Sequence, residues 1–463
     1  MELHSIKIEG FFGRKEPVFI KFKDNKLIFL AENGWGKSTI MRILCYTLTC
    51  QFKKLNMFIF DQIIISINTR IVTIIKKKLN QFYESSFERF YIEMVEHPDA
   101  GAIRDYRNQM STDKFISLAK DVFLGKIDSL HVPFRLRGCV NEIETFKESY
   151  LEQTPQETGY LKALSHLIKH ETIGITFLYL PTYRSIESSL NLDKVNVINR
   201  QQNTNFEENV VFGMSDVKQI FDSKTEELKD FFDSNNKNIR QNNFLDILNC
   251  KYEVIDIDKI KTLTQNDIEK VISMISNDEK YKGEILSIID KITTLGSDAI
   301  INDTRAKILY HIFLDFLDTM KQLDEKSNSI KQFVEVCNRY FHYKELQFDE
   351  SEFTFNIELK NIALENENQN HMTLSSLSSG ENQIVPLFCK LYLEQEDKHY
   401  FVLIDEPEIS LSVGWQKMFL KDVIDSPKCV GLFAVTHSPF IFNGNGLEKY
   451  AFDPEDMQTE EEM

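Results

Sequence analysis

No stretch of the 463-residue chain approaches the ~18 to 20 consecutive apolar residues of a membrane span, and the opening MELHSIKIEG has no secretory-leader pattern. No membrane association is expected, and a soluble, cytoplasmic chain is. The seven cysteines, at 45, 50, 139, 250, 337, 389 and 429, include no CxxC pair. That removes the usual zinc spacings and fits reduced thiols rather than a disulfide framework. Cys45 and Cys50, on one expected helix, read as packing. Positive charge is also scarce: 54 Lys and Arg stand against 71 Asp and Glu, for a net charge of −17, and the chain closes on DPEDMQTEEEM. So acidic a chain is poorly suited to covering a nucleic-acid backbone, and its charge points first to protein partners. The basic patches Lys76-Lys77-Lys78 and Arg135 with Arg137 read as solvated faces. There is no internal repeat and no HNH pattern.

What is present is an ordinary globular composition, 42% apolar and 27% charged. The length suggests about two to four domains. Residues 3–9 and 17–22 alternate like strands, 26–30 (KLIFL) is a short apolar strand, and 62–75 (QIIISINTRIVTII) reads as a hairpin around Asn68-Thr69. TFLYLPTYRS at 176–185 is a buried strand ended by Pro181, while 344–358 returns to alternation. YFVLI (400–404) and VGLFAV (430–435) are further buried strands. Between them the pattern is helical, mostly from about 80 to 170 and again, more polar, from about 215 to 342. The expectation is an α/β fold whose core is assembled from the two ends of the chain, with helical inserts. Its parts are 1–79 (core), 80–170 (helical insert), 171–198 (core strand), 199–343 (helical insertion domain) and 344–463 (core).

Four motifs carry chemistry. In ENGWGKST (32–39), a loop runs from a strand straight into a helix. A phosphate loop needs backbone N–H groups close to the anion, a lysine on the β/γ oxygens and a hydroxyl for magnesium. Asn33, Gly34, Trp35, Gly36, Lys37, Ser38 and Thr39 meet that description, with Lys37 as the charge and Ser38 as the metal ligand. Two departures stand out: Ala31 replaces the usual first glycine, and Trp35 fills a position that normally holds something small. The second motif is YFVLIDEPEISLSVGWQ, an apolar strand ending in Asp405 and Glu406. A carboxylate there reaches magnesium, and its neighbour polarises an attacking water. The third is His437 in VTHSP, placed to sense a γ-phosphate. The fourth is SSLSSGENQIVPLF (375–388), a helix start suited to an anion by its free N–H groups and dipole. Two weaker patterns read as non-functional: Glu253, Asp256 and Asp258 in a polar insert, and the pair His166 and His170, a surface pair without a third ligand.

The order NGxGKST, LSSGE, hhhhDE and a strand ending in TH resembles the ABC-type ATPases of the Rad50, RecF and OLD kind. That resemblance implies an ABC-type (P-loop) ATPase head with a mixed sheet and helical insertion regions, using ATP and Mg2+. It makes Glu406 the general base of ATP hydrolysis and His437 the switch residue, with Asp405 and Ser38 on the metal. It further implies that Ser378, Ser379, Gly380 and Glu381 form a signature addressing the ATP bound at Lys37 of another copy, in a dimer or higher oligomer. The interrupted helix over 215–342 is too short for a Rad50 coiled coil. The gap of more than three hundred residues between phosphate loop and signature is too long for a transporter subunit. Only 26 residues follow His437, so the Toprim domain of OLD nucleases is not expected. The chain looks most like the ATPase subunits of anti-phage systems such as Septu and PARIS, whose relatives work beside a separately encoded nuclease of HNH or Toprim type and meet DNA through the complex. Pro386 departs from the pattern inside the signature helix, and Ser412 stands where the OLD group often has histidine. Gln62 and Arg184 are candidates for further contacts near the nucleotide. The alternatives are a RecF-like DNA repair ATPase and a low-turnover ATP-binding scaffold in which Ala31 and Trp35 are damage.

Overall fold

The computed structural model describes residues 1–32, 34–97, 101–128, 132–153, 159–181, 206–208, 214–253, 283, 304–350, 352–360, 371–372, 374–395, 397–409 and 411–454. In chain order the strands are β1 (Leu3–Glu9), β2 (Val18–Lys21), β3 (Lys26–Leu30), β4 (Gln62–Ile67), β5 (Arg70–Ile75), β6 (Ile175–Leu180) and β7 (Phe206–Glu208). They continue with β8 (Lys344–Asp349), β9 (Thr354–Leu359), β10 (His371–Met372), β11 (His399–Asp405), β12 (Cys429–Thr436) and β13 (Ala451–Phe452). The helices are α1 (Lys37–Leu48), α2 (Phe52–Leu55), α3 (Lys76–Glu96), α4 (Gly101–Asn108), α5 (Thr112–Leu124) and α6 (Phe134–Gln153). After these come α7 (Tyr160–Glu171), α8 (Met214–Leu248), α9 (Thr304–Asn338), α10 (Glu381–Leu393) and α11 (Val413–Ile424). Two compact units result, one from Met1–Val210 with Asp397–Met463, the other from Val211–Glu396.

In the first unit a six-stranded sheet runs in the order β13-β3-β12-β11-β6-β7. Every pairing in it is parallel. Parallel strands are covered on both faces, which is why β11 and β12 read as unbroken apolar runs. Tyr400 to Leu403 and Leu432 to Val435 are all fully buried. A separate antiparallel sheet, β2-β1-β4-β5, carries the alternating segments. Its β4–β5 hairpin closes on Asn68, whose left-handed φ of 51° is tolerated by Asn at a two-residue turn.

One apolar core joins both sheets through α1. Ile40, Ile43, Leu44 and Leu48 recur at three-to-four spacing along that helix. They pack in one cluster with Ile6, Ile8, Ile63 and Ile65 of the antiparallel sheet and Phe401 and Phe433 of the parallel one. Each such side chain contributes about 1.5 to 3 kcal/mol by burial. Helices α3 to α6 form a second cluster around Phe90, Phe115, Val122, Cys139 and Ile143.

In the second unit, α8, α9 and α10 pack on one another, and β8, β9 and β10 make an antiparallel sheet. Phe221 of α8 stacks on Phe355 of β9, with ring centres 3.9 Å apart. Pro386 lies inside α10, and the helix continues through it to Leu393. All seven cysteines are free thiols. Among the described residues no helix is long and apolar enough to cross a membrane, and no group of three His, Cys, Asp or Glu could hold a metal ion.

Candidate functional site

Strand order decides which loops meet. Because β12 lies between β3 and β11, the loop after β3, the carboxylates ending β11 and the histidine after β12 share the carboxyl edge of the sheet. That edge is where ligands bind in open parallel sheets.

The loop after β3 is shaped around its glycines. Gly34 and Gly36 have φ of 84° and 101°, a region other residues rarely adopt. A Cβ on Gly36 would fall 2.8 Å from the Phe11 ring, so the position is closed to larger residues as well. Among the described residues, the N–H groups of Gly34, Gly36, Lys37, Ser38 and Thr39 find no acceptor. With the positive end of α1 behind them, they form an anion cradle. Asn33 lies outside the described residues. Trp35 turns away from the cradle: its ring packs 5.4 Å from that of Phe29, with the Arg14 guanidinium 5.1 Å from its centre. Ala31 is buried, and its carbonyl accepts a hydrogen bond from Lys37 Nζ.

Lys37 itself is buried. Its ammonium also donates to Glu32 O at 3.0 Å and meets His437 Nδ1 at 3.4 Å. Burial pushes its pKa down, opposed by Glu406, Asp405 and Glu408. An ammonium can only donate, so His437 Nδ1 is the acceptor and the ring proton sits on Nε2. Nε2 lies 3.9 Å from Glu406 Oε1. His437 thus stands between the lysine and the carboxylate.

Ser38 Oγ donates to Asp405 Oδ1 at 2.9 Å. The other carboxylate oxygen, Oδ2, is buried with no hydrogen-bond partner. Burial pushes the Asp405 carboxyl up to about 6; Ser38 opposes the shift and Glu406 adds to it. An orphaned buried carboxylate oxygen beside a hydroxyl is a hard-oxygen donor set that suits Mg2+. Glu406 follows on a left-handed backbone, φ 54°, which is strained for a side chain of this kind. Its N–H is held by Val435 O at 2.8 Å.

Two residues that the motif reading passed over hold the histidine turn in place. The Glu408 carboxylate accepts from Thr436 Oγ1 and from the His437 N–H, both at 2.7 Å. Gln416 of α11 donates to Leu411 O at 2.9 Å and accepts from Ser438 Oγ at 2.7 Å. In sequence Glu408 was one more acid in EPE, and its only signal was its place three residues past the strand end.

The stretch at 378–381 belongs to the second unit and is a capping box. The Ser378 N–H donates to Glu381 Oε2 at 2.7 Å, and Ser378 Oγ accepts from the Glu381 N–H at 3.4 Å. Lys344 completes the arrangement, donating to Glu381 Oε2 and to Ser376 O, each at 2.9 Å. The Glu381 carboxylate is thus committed to protein partners. The N–H groups of Ser379 and Gly380 find no acceptor among the described residues.

The remaining candidates lie elsewhere. Gln62 donates to Glu9 Oε2 at 2.7 Å within the antiparallel sheet. Ser412 caps α11, accepting from the Trp415 N–H. His170 pairs with Glu171 at 3.2 Å, and among the described residues no metal-ligand cluster includes it. Arg184, Asp256 and Asp258 lie outside the described residues.

Residues 183–443 match the family described as "AAA domain, putative AbiEii toxin, Type IV TA system". The match begins after the loop at 34–39 and includes 378–381, Asp405, Glu406 and His437. Among solved structures, the chain is similar to the Smc head domain with an extended coiled coil bound to the C-terminal domain of ScpA from Pyrococcus furiosus. The identity is 13% and the TM-score 0.34, over 95% of this chain and 90% of that one. No curated protein matches. With more than half of its length matched, the chain belongs to this AAA-domain family.

Proposed function

We propose that the chain is an ATP hydrolase of the ABC type whose heads associate around ATP. The observation that carries this reading is the meeting of Lys37, Ser38, Asp405, Glu406 and His437 at one sheet edge, from segments that begin and end the fold. Lys37 and the free N–H groups of the loop bind the phosphates. Ser38 and Asp405 would hold magnesium, which would supply neutralisation of phosphate charge. Glu406 takes a proton from the attacking water, and His437 keeps its Nε2–H towards Glu406 while its backbone is clamped by Glu408. Ser378, Ser379 and Gly380 address the γ-phosphate bound at Lys37 of a second copy, with Glu381 and Lys344 ordering that turn. Charge-assisted contacts to the γ-phosphate hold two copies together, and hydrolysis removes them.

In its finer form the reading places the chain in anti-phage defence, as the scaffold and control subunit of a separately encoded HNH or Toprim nuclease. Phage challenge of cells carrying the chain with and without its neighbouring genes tests that part. The enzymatic core is tested by Glu406→Gln. Size-exclusion with and without ATP should show that variant retained in an associated form, with phosphate release abolished. Ordinary turnover by Glu406→Gln, or a monomer under every condition, sinks the proposal.

A further inference from the structure

The basic run at 76–78 divides in the folded chain. Lys77 and Lys78 are exposed, and Lys78 lies over the Tyr160 ring at 4.8 Å. Lys76 instead lines a cleft of about 470 Å³ bounded by α2, the residues after it, α3 and α5. Lys53, Lys120 and Lys126 line the same cleft, and Lys147 of α6 stands beside Lys53, its charge opposing that of Lys53.

Opposite charge there comes from Glu84 and Asp121 at the cleft and from Glu144 and Glu148 near Lys147. Lys120 reaches Glu84 at 3.8 Å and Lys126 reaches Asp121 at 3.6 Å, both loose, solvent-screened pairs. Lys76 donates to the carbonyls of Asn56 and Phe58, and Lys147 to Val122 O. Among the described residues, Lys53 has neither a carboxylate nor a carbonyl partner. Burial and Lys147 push Lys53 down to about 7, and burial and Lys126 push Lys76 down to about 8. Clustered ammonium groups repel one another and lose hydration, so the arrangement gives nothing to stability by itself. In a chain of net charge −17 it is also a local reversal of sign.

We propose that this cleft is an anion site for a phosphate-bearing small molecule of nucleotide size, separate from the loop at 31–36. The volume lies within the usual range for small-molecule pockets and would be left largely empty by one orthophosphate. Met57, Phe58 and Tyr83 add an apolar and aromatic wall against which a base stacks, while the lysines take the phosphates as point charges. None of these residues belongs to the edge that gathers Lys37, Asp405 and His437, so the two sites stand or fall separately.

The test is ADP titration by calorimetry into the full chain carrying Lys37→Ala, which disables the first loop. One ADP per chain is expected. Adding Lys53→Gln and Lys126→Gln should weaken it at least tenfold. Lys120→Glu, at a half-buried position on the cleft wall, should weaken it severalfold while the chain stays folded at the temperature of the titration. Absence of ADP binding to Lys37→Ala overturns the proposal, as does binding indifferent to both sets of substitutions. Inorganic tripolyphosphate binding as tightly as ADP overturns the nucleotide assignment, and a single-stranded DNA 12-mer binding where ADP does not would make the surface a nucleic-acid track instead. No ATP turnover by the unsubstituted chain, with the Lys53-dependent ADP site intact, would refute the hydrolase reading alone.

Discussion

His437 Nδ1 lies 3.4 Å from Lys37 Nζ, two groups four hundred residues apart in the chain. The contact sets the tautomer of the histidine and aims its proton at Glu406. Replacing the ring should leave phosphate binding by the loop largely intact and strike the chemical step. His437→Ala is expected to bind ATP within a few-fold of the parent and to lose about 100-fold or more in phosphate release. Equilibrium nucleotide binding and single-turnover phosphate release, measured side by side, distinguish this from a binding defect.

Glu408 acts through that histidine rather than on substrate. Glu408→Ala leaves the fully buried Thr436 hydroxyl and the His437 N–H without their acceptor, a loss of about 1 to 3 kcal/mol. It should lower turnover almost as far as His437→Ala, and the double variant should be little worse than either. Additive losses in the cycle would show that Glu408 works independently of the histidine.

Asp405 is held in a setting that disfavours its charge until a cation arrives. Asp405→Asn should raise the unfolding temperature of the nucleotide-free chain, because the buried Oδ2 no longer carries charge. The same substitution should abolish the extra stabilisation that magnesium brings to the ATP-bound chain. Differential scanning calorimetry with ATP, with and without Mg2+, reads both effects at once.

The turn at 378–381 makes a pH prediction. Burial pushes the Glu381 carboxyl up, but Lys344 and the Ser378 N–H more than reverse this, leaving it below the ordinary value of 4.5. A depressed folded pKa gives stability that is present above the unfolded value and is lost as pH falls through the folded one. Acid unfolding of the parent should therefore steepen below about pH 4.5, and Glu381→Gln should flatten that limb. Identical slopes in denaturant midpoints against pH would contradict the clasp.

Much of the α/β reading follows from apolar runs and their endings. KLIFL, YFVLI and VGLFAV are strands as expected, and QIIISINTRIVTII is the hairpin with Asn68 at its turn. Those segments announce themselves because burial on two faces, or on one, imposes a distinct period on the side chains. Lateral order is different. Nothing local in β12 says that it lies between β3 and β11, since parallel pairing is a long-range choice made by packing. The roles of Glu408 and Gln416 depend on that order and were equally hidden. The lysine cleft was hidden for a related reason: Lys53, Lys76, Lys126 and Lys147 are scattered through four helical segments and the residues beside them, and only tertiary folding brings them near one another. Gln62 shows the reverse case, a plausible polar residue whose amide is consumed by Glu9 across a sheet.

Residues 26–30 are flanked on one side by 429–436 and on the other by 451–452. During synthesis the ribosome releases this segment long before either neighbour exists, so its two hydrogen-bonding edges must wait, unpaired, through translation of nearly the whole polypeptide. Late pairing of this kind leaves open strand edges, the surface through which partly folded chains aggregate.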